Sequence, residues 1–332
     1  MKIIYLTPKS SFRENLRSDT LWGLICWGIN TVYSKETLDN FIADHKEGKV
    51  FKISSTYRFF REDENETLLF PKPILEPIDI NRYFEENKIS EKEKKASVIK
   101  SLKDYKKVKF IDKETFEKFL TGELNESKYF FSNLWDKKIP NFKRKDVLHN
   151  QINRLTNTTE EGALFSTSEL FANNGGLFFL MDGTEEHLKL ATGALNFFSH
   201  VGFGGDSSIG KNHFDIKIDD FTFKKIENLN AFNAFVTLSL YSPKKEEITE
   251  YKKSRNYFWY ELEARKGKFG GQFIKAKNFW KDSVLLFKEG SVFPNLNSQN
   301  YGRNIQVMKY DDMNIYQFGY AFNLPIKIME KQ

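Results

Sequence analysis

A chain of 332 residues and 39.0 kDa can bury a sizeable core and suits two domains or one elaborated domain, which excludes a peptide-sized module. Lys and Arg number 51 against 45 Asp and Glu; the formal charge of +6 and pI near 9.0 favour phosphate-bearing partners. The single cysteine, Cys26, lies in the apolar run LWGLICWGI, which rules out an intramolecular disulfide and fits a reducing compartment.

No apolar stretch reaches the roughly 20 residues of a membrane span. The start MKIIYLTPKS is too short and too quickly polar for a secretory signal, so a cytoplasmic location without a membrane partner is expected. With 33 Phe and 14 Tyr, aromatic residues exceed what a core of this size requires, which leaves some rings for binding.

KIIYLTP reads as a strand, and SDTLWGLICWGINTVY as a helix with a Ser/Asp cap and apolar residues at helical spacing. A second helix is expected in KETLDNFIADHK and a strand in KVFKISSTYRFF, before the two prolines of LFPKP break the chain. Residues 76–160 read as an insertion projecting from the core. From Lys88 to Lys118 it carries 11 Lys against 6 acidic residues, a surplus of five that suits either a solvated charged helix or a nucleic-acid contact. Strands GALFSTSELF and GGLFFLMD follow, then the helix TEEHLKLATGALNFFSH, a glycine-rich loop, and strands HFDIKI and FTFKKI. The remainder is a series of short β-rich segments. The fold class is α+β, as two units of antiparallel sheet backed by helices, with domains at 1–160 and 161–332.

The loop GFGGDSSIGKN, residues 202–212, approaches the spacing of a nucleotide-binding P-loop. Such a loop follows a strand, opens a helix and ends in Ser or Thr. Here a helix precedes it, a strand follows it, and the terminal position is Asn212, so an NTPase reading is rejected. Glycines still allow close backbone approach and anion-binding nests, and Lys211, Ser207 and Ser208 can meet phosphate oxygens. A plain connecting turn is the alternative.

With its glycine-rich loop between helix and strand, the chain resembles the RAMP superfamily of CRISPR proteins, and more narrowly the family of subunit four of the type III-A (Csm) effector complex. The resemblance rests on SFRENLRSDTLWGLICWGI, LFPKP, NQINRLTNTTEEGALFSTSELF, the glycine loop, VLLFKEGSVF and YQFGYAFNLPIKI, which occur in the family's order across nearly the whole chain. It implies two ferredoxin-like (RRM-like) domains, a thumb within 76–160, a groove for the crRNA 5′ tag, and contacts to the large polymerase-like subunit and a backbone RAMP subunit. It implies no catalysis and no cofactor. The lysine-rich insertion departs from the family's common pattern.

RNA held in a defined shape needs phosphate contacts together with stacking or 2′-OH contacts. The loop residues Gly202, Gly204, Gly205, Asp206, Ser207, Ser208, Gly210 and Lys211 are candidates for the phosphates. Ser18 and Thr20 stand at a helix N-terminus, which the resemblance puts near the RNA, although an N-cap explains Ser18 as well. In HNQINRLTNTT, Asn153 and Arg154 lead a polar cluster suited to base edges and phosphates, with loop-carbonyl contacts as the alternative for Arg154. From Tyr251 to Lys281, nine Lys and Arg interleave with Tyr257, Phe258, Trp259, Tyr260, Phe269, Phe273, Phe279 and Trp280 as a possible stacking platform. Alternate positions of a strand face a core, so about half of these rings are packing residues.

The five histidines are scattered without metal-ligand spacing, so no metal is expected. A rival reading is a RAMP-type endoribonuclease that processes precursor crRNA, with His149 as general base. A second rival, target cleavage from Asp104 or Asp112, rests on fold analogy alone.

Overall fold

The computed structural model describes residues 1–13, 16–63, 65–86, 92–137, 139–159, 162–204, 206–227, 231–253, 257–267, 280–310 and 313–329. The chain opens with β1 (Lys2–Pro8), α1 (Ser18–Val32), α2 (Lys35–Asp44), β2 (Lys52–Ile53), β3 (Tyr57–Glu62) and β4 (Asn65–Pro71). Next come α3 (Ile80–Glu86), α4 (Lys92–Tyr105), β5 (Phe110–Asp112), α5 (Lys113–Leu120) and α6 (Glu126–Phe131). A ribbon region follows with β6 (Lys143–His149), β7 (Ile152–Asn153), β8 (Thr158–Thr159) and β9 (Phe165–Phe171), then β10 (Gly175–Asp182), α7 (Glu185–Val201) and β11 (Phe214–Asp220). The remainder holds β12 (Ala234–Thr237), α8 (Lys245–Lys253), β13 (Leu262–Arg265), β14 (Val284–Phe287), β15 (Val292–Pro294), β16 (Ile305–Tyr310), β17 (Met313–Gln317) and β18 (Asn323–Ile326).

The main sheet runs β11-β1-β10-β3-β4-β5, with β2 also paired to β10, and its pairs are antiparallel. Both faces are covered. Ile4, Leu6, Leu177 and Phe179 pack in the cluster that contains the apolar sides of α1 and α7. Ile3, Tyr5, Phe178 and Leu180 point the other way, into a cluster shared with α5, α6 and second-half residues such as Val236, Val292 and Phe322. This double burial is why β1 and β10 read as continuous apolar runs, without the polar alternation of a one-sided sheet.

The division expected at 160/161 cuts through this sheet. β10 and β11 flank β1, so the glycine-rich loop between α7 and β11 belongs to the first unit, and the chain changes unit between β11 and β12. Counted through its helices, the unit is βαββαβ with its fourth strand beside its first. The long insertion between β4 and β10 separates these partners in sequence, which hides the pairing. The insertion itself is only partly a projection. β5 extends the main sheet through β4, and Phe116, Phe119, Leu120, Tyr129 and Phe130 are buried. FTFKKI, expected as a strand, is not one: Phe221 and Phe223 turn into the core, where Phe223 packs 5.3 Å from Phe70 and 5.9 Å from Phe116.

In the second half the described strands form the three-stranded sheet β15-β12-β18 and the pairs β13-β14 and β16-β17. Hydrogen bonds cross to the first unit: Tyr57 Oη donates to the Leu238 carbonyl at 2.6 Å, and the Ser55 N–H donates to the same carbonyl at 2.9 Å.

Helices α1 and α7 cross closely at Gly28, where an added Cβ would lie 2.6 Å from Ala194 Cβ, whereas a Cβ at exposed Gly23 meets nothing within 4 Å. Gly28→Val should therefore lower stability by about 1–3 kcal/mol through overpacking. Gly23→Ala should raise it by about 1 kcal/mol through helix propensity. Urea denaturation of the two variants checks this; midpoints moving in the same direction would contradict the close crossing.

Candidate nucleic-acid interface

The glycine loop is fixed at both ends. Gly202 terminates α7 at φ 83°, its N–H donating to the Phe198 carbonyl at 2.8 Å, and a Cβ there would lie 2.8 Å from Ser207 Cβ. Phe203 is buried against Phe198 and Phe214, each 5.5 Å between ring centroids. Asp206 and Gly210 adopt left-handed backbone on either side of the single turn Ser207–Ile209. The Lys211 N–H donates to the Asp206 carbonyl at 3.1 Å, and the Asn212 N–H donates to the Ser11 carbonyl at 3.1 Å. Gly204, Ser208, Ile209 and Gly210 remain exposed, so the loop presents backbone to solvent from a rigid base. Gly205 lies outside the described residues.

Lys211 does not project from this loop. Its Nζ lies 2.8 Å from Glu169 Oε2 on β9 and 3.0 Å from Ser11 Oγ, while Ser11 Oγ donates to the same carboxylate oxygen at 2.5 Å. On the other oxygen, Glu169 Oε1 accepts from Thr167 Oγ1 at 3.2 Å and lies 3.4 Å from His149 Nε2. Burial would raise the Glu169 carboxyl. The hydrogen bonds from Lys211, Ser11 and Thr167, with the Lys211 charge, outweigh it and hold the group down to about 2. A second bridge joins Arg13 Nε to Asp206 Oδ2 at 2.6 Å. Lys211 is thus a strut that fixes the loop to the ribbon base and to the segment after β1.

The β6–β9 ribbon leaves this clasp in continuous register from Lys143↔Phe171 to His149↔Phe165, and β7–β8 forms its tip. Lys143, Arg144 and Lys145 are exposed near its base. Arg58 lies close by, stacked 5.2 Å above Phe142, and its guanidinium is lowered by burial and then by the neighbouring charge of Arg144. Two adjacent guanidiniums make a site that an anion would relieve. Further out, Leu148, Ile152, Leu164 and Phe165 are exposed, and Leu155 at the tip is 95% exposed. Cations along the stem with bare apolar side chains at the end suit a strand of RNA, phosphates on one and bases on the other.

Asn153 and Arg154 fall at this tip. Asn153 Oδ1 accepts from the Leu155 N–H at 2.9 Å and shapes the turn, while Arg154 is exposed. From Glu169 to Phe165 the ribbon rises about 13 Å, so these two residues stand well beyond the glycine loop. Ser18 requires correction. It is fully buried, with its Oγ accepting from the Leu240 N–H at 3.0 Å and its N–H donating to Ser55 Oγ at 2.9 Å, so it serves the seam between the halves and offers no surface hydroxyl. Thr20 is exposed beside that seam, where Arg265 Nη2 donates to its Oγ1 at 3.3 Å.

The other candidates divide along physical lines. Tyr251 and Phe258 pack in the second-half core, and Tyr257 and Trp259 are partly buried. Tyr260 and Trp280 are exposed, with Lys266 Nζ 5.5 Å from the Trp280 ring centroid. Phe269, Phe273 and Phe279 lie outside the described residues. Asp112 caps α5 by accepting from the Thr115 N–H at 2.8 Å, and Asp104 pairs with Lys107 at 2.8 Å. Sequence reasoning missed Ser11, Arg13, Arg58 and Glu169. The basic run KRK at 143–145 carried a legible signal, but Glu169 carried none, because its partner is 42 residues away. Among the described residues no cluster of three or more His, Cys, Asp or Glu could hold a metal, and no helix is long and apolar enough to cross a membrane.

The depressed Glu169 carboxyl contributes stability that is present above its unfolded value near 4.5 and is lost as pH falls toward about 2. The stability difference between wild type and Glu169→Gln should therefore shrink across that interval; a difference constant from pH 6 to pH 2.5 would show that the clasp is not charged as described. Ser18→Ala, which strands the Leu240 N–H, should cost about 1–3 kcal/mol in the same assay.

Comparison with known proteins bears on this geometry. Residues 8–211 match the RAMP superfamily and residues 230–326 match the CRISPR Csm4 C-terminal domain. A relative described as CRISPR system Cms protein Csm4, from Thermococcus onnurineus (strain NA1), is 24% identical over 219 residues, which is 65% of this chain and 68% of that protein. A chain in the crystal structure of a Csm1-Csm4 cassette in complex with pppApA is similar at a TM-score of 0.61 and 20% identity, over 99% of both chains. Another, in the Csm3-Csm4 subcomplex of a type III-A CRISPR-Cas interference complex, gives a TM-score of 0.60 at 19% identity, over 98% of this chain and 100% of that one. The first match ends at residue 211, just before β11, and the second begins at residue 230, just before β12; the chain belongs to the RAMP superfamily of CRISPR proteins, and its C-terminal part matches the Csm4 C-terminal domain.

Proposed function

We propose that this subunit of the Csm complex is a non-catalytic RNA-binding and assembly protein. It caps the 5′ tag of the crRNA and links the large polymerase-like subunit to the backbone RAMP filament. The observation that carries the reading is the clasp joining the glycine loop to the base of a cationic ribbon with an apolar tip. One rigid surface thereby offers backbone and cations to phosphates and bare side chains to unstacked bases. In this reading the first unit is a ferredoxin-like domain, the second half is its RRM-like companion, and the β6–β9 ribbon is the thumb. The proteins named in the comparison structures, Csm1 and Csm3, motivate the assignment of the two partner classes.

His149 is the residue on which an endoribonuclease reading would rest. Its imidazole stacks on Phe165 at 5.3 Å and its Nε2 lies 2.8 Å from Thr167 Oγ1, which suits a positioning role in the ribbon.

Co-expression of the complex without this chain should yield particles that lose crRNA or the large subunit, read by RNA extraction and size-exclusion chromatography; an unchanged particle would sink the assembly role. Replacing Lys143, Arg144 and Arg154 together by Gln should weaken binding of tagged RNA and flatten its salt dependence by about 2 in the log–log slope. If the isolated protein cut repeat RNA and His149→Ala abolished the cleavage, the endoribonuclease reading would replace this one.

A further inference from the structure

The lysine-rich insertion departs from the ribbon interface in position and in charge pattern. Helix α4 is anchored on the core by one side. Tyr105 is buried and donates to Glu126, whose carboxylate also accepts from Lys72 Nζ at 2.7 Å, and Val98 and Leu102 pack against the same cluster. At about 3.6 residues per turn, Lys92, Lys100 and Lys103 fall together on the side away from that anchor, with Lys106 at its margin. All four are exposed, and none is in an ion pair among the described residues. Ile99, 42% exposed, lies among them.

A helix face that is merely solvated gains from alternating signs, since opposite charges three or four residues apart each contribute about 0.2–0.5 kcal/mol and like charges cost a similar amount. Here Glu93 and Asp104 are the only acidic residues of α4, and Lys92, Lys94 and Lys95 crowd its first turn, where the helix dipole disfavours cations. Asp104 offsets Lys100 and pairs with Lys107, but Lys100, Lys103 and Lys106 follow one another at three-residue spacing with like charge, a repulsion that an external polyanion relieves.

Its location separates it from the glycine loop. α4 leads into β5 at one edge of the main sheet, whereas the glycine loop leads into β11 at the other. Five strand spacings of about 4.8 Å put these edges roughly 24 Å apart. We propose that the outward face of α4 is a second, sequence-independent binding site for the phosphate backbone of single-stranded RNA, separate from the glycine-loop interface. From Lys92 to Lys103 the helix rises about 16 Å, enough to track several phosphates with point charges that read no bases.

The test uses the full chain and fluorescence anisotropy with a mixed-sequence single-stranded RNA that lacks any tag, at several salt concentrations. Replacing Lys92, Lys100, Lys103 and Lys106 by Gln should reduce the slope of log affinity against log salt by about 2–3 and weaken binding at least tenfold at low salt, with an unchanged circular dichroism spectrum. The same loss should appear when Lys143, Arg144 and Arg154 are already replaced, which separates this site from the ribbon. A control with Lys35, Lys46, Lys245 and Lys252 replaced matches the charge change at exposed positions elsewhere. An equal effect from the control, an unchanged slope in the α4 variant, or loss of binding only to anionic vesicles would each overturn the proposal.

Discussion

A buried carboxylate with three donors organises the glycine-loop side of this protein. Glu169 is 2% exposed, and the groups that satisfy it are Thr167, two residues away on β9, and two from distant segments, Ser11 after β1 and Lys211 at the end of the glycine loop. An isolated buried charge is expensive, so the carboxylate is tolerated only when all partners are present together. That requirement locks loop, ribbon base and the β1–α1 connection into one arrangement. The ribbon then inherits its direction from the clasp, since the Phe12↔Leu170 bridge and the β6–β9 register continue from it without interruption.

A second polar seam joins the two halves and accounts for the N-terminus of α1. Arg17 pairs with Glu263 and lies 3.1 Å from Glu289, whose carboxyl is raised by burial and drawn back by Arg17 and Ser55. Asp19 accepts from Arg265 Nε at 3.0 Å and from Gln317, so the first turn of α1 already holds an acidic partner for its dipole. A helix end satisfied in this way has no remaining need for phosphate. The residues that make it resemble an anion site in sequence are the same ones that weld the halves together.

Elements were legible where local signals agree with tertiary demand. The apolar spacing of Leu21, Trp22, Ile25 and Ile29 specifies α1, and the uninterrupted runs of β1 and β10 signal strands buried on both faces. The partition of the chain was not legible, because β10 and β11 pair with β1 across an insertion that no periodicity announces. Phe221 and Phe223 show the same limit on a small scale: FTFKKI has a strand's composition, but Phe70 and Phe116 offer those rings a deeper place than a sheet edge would. For the site, glycine positions could be read directly, since positive φ at Gly202, Gly204 and Gly210 is a property of the residue itself. The role of Lys211 could not, because it depends on a carboxylate supplied from another strand.

That contrast bears on how far net charge can identify an RNA-binding surface. Several of the 51 cations are consumed internally: Lys211 by Glu169, Lys72 by Glu126, Lys52 by the Gln299 carbonyl and Asn323. A lysine so committed adds to the pI and nothing to the field that a phosphate meets. Those that remain outward include two groups set along single elements, Lys143, Arg144 and Arg154 on the ribbon and Lys92, Lys100 and Lys103 on α4. An excess of six charges spread evenly would be screened beyond about 10 Å in ordinary salt, whereas the same charges gathered along a ribbon and a helix reinforce one another at phosphate distance. The pull of such a surface on a polyanion is therefore set by which cations lack an internal acid, a property of the fold that composition cannot report.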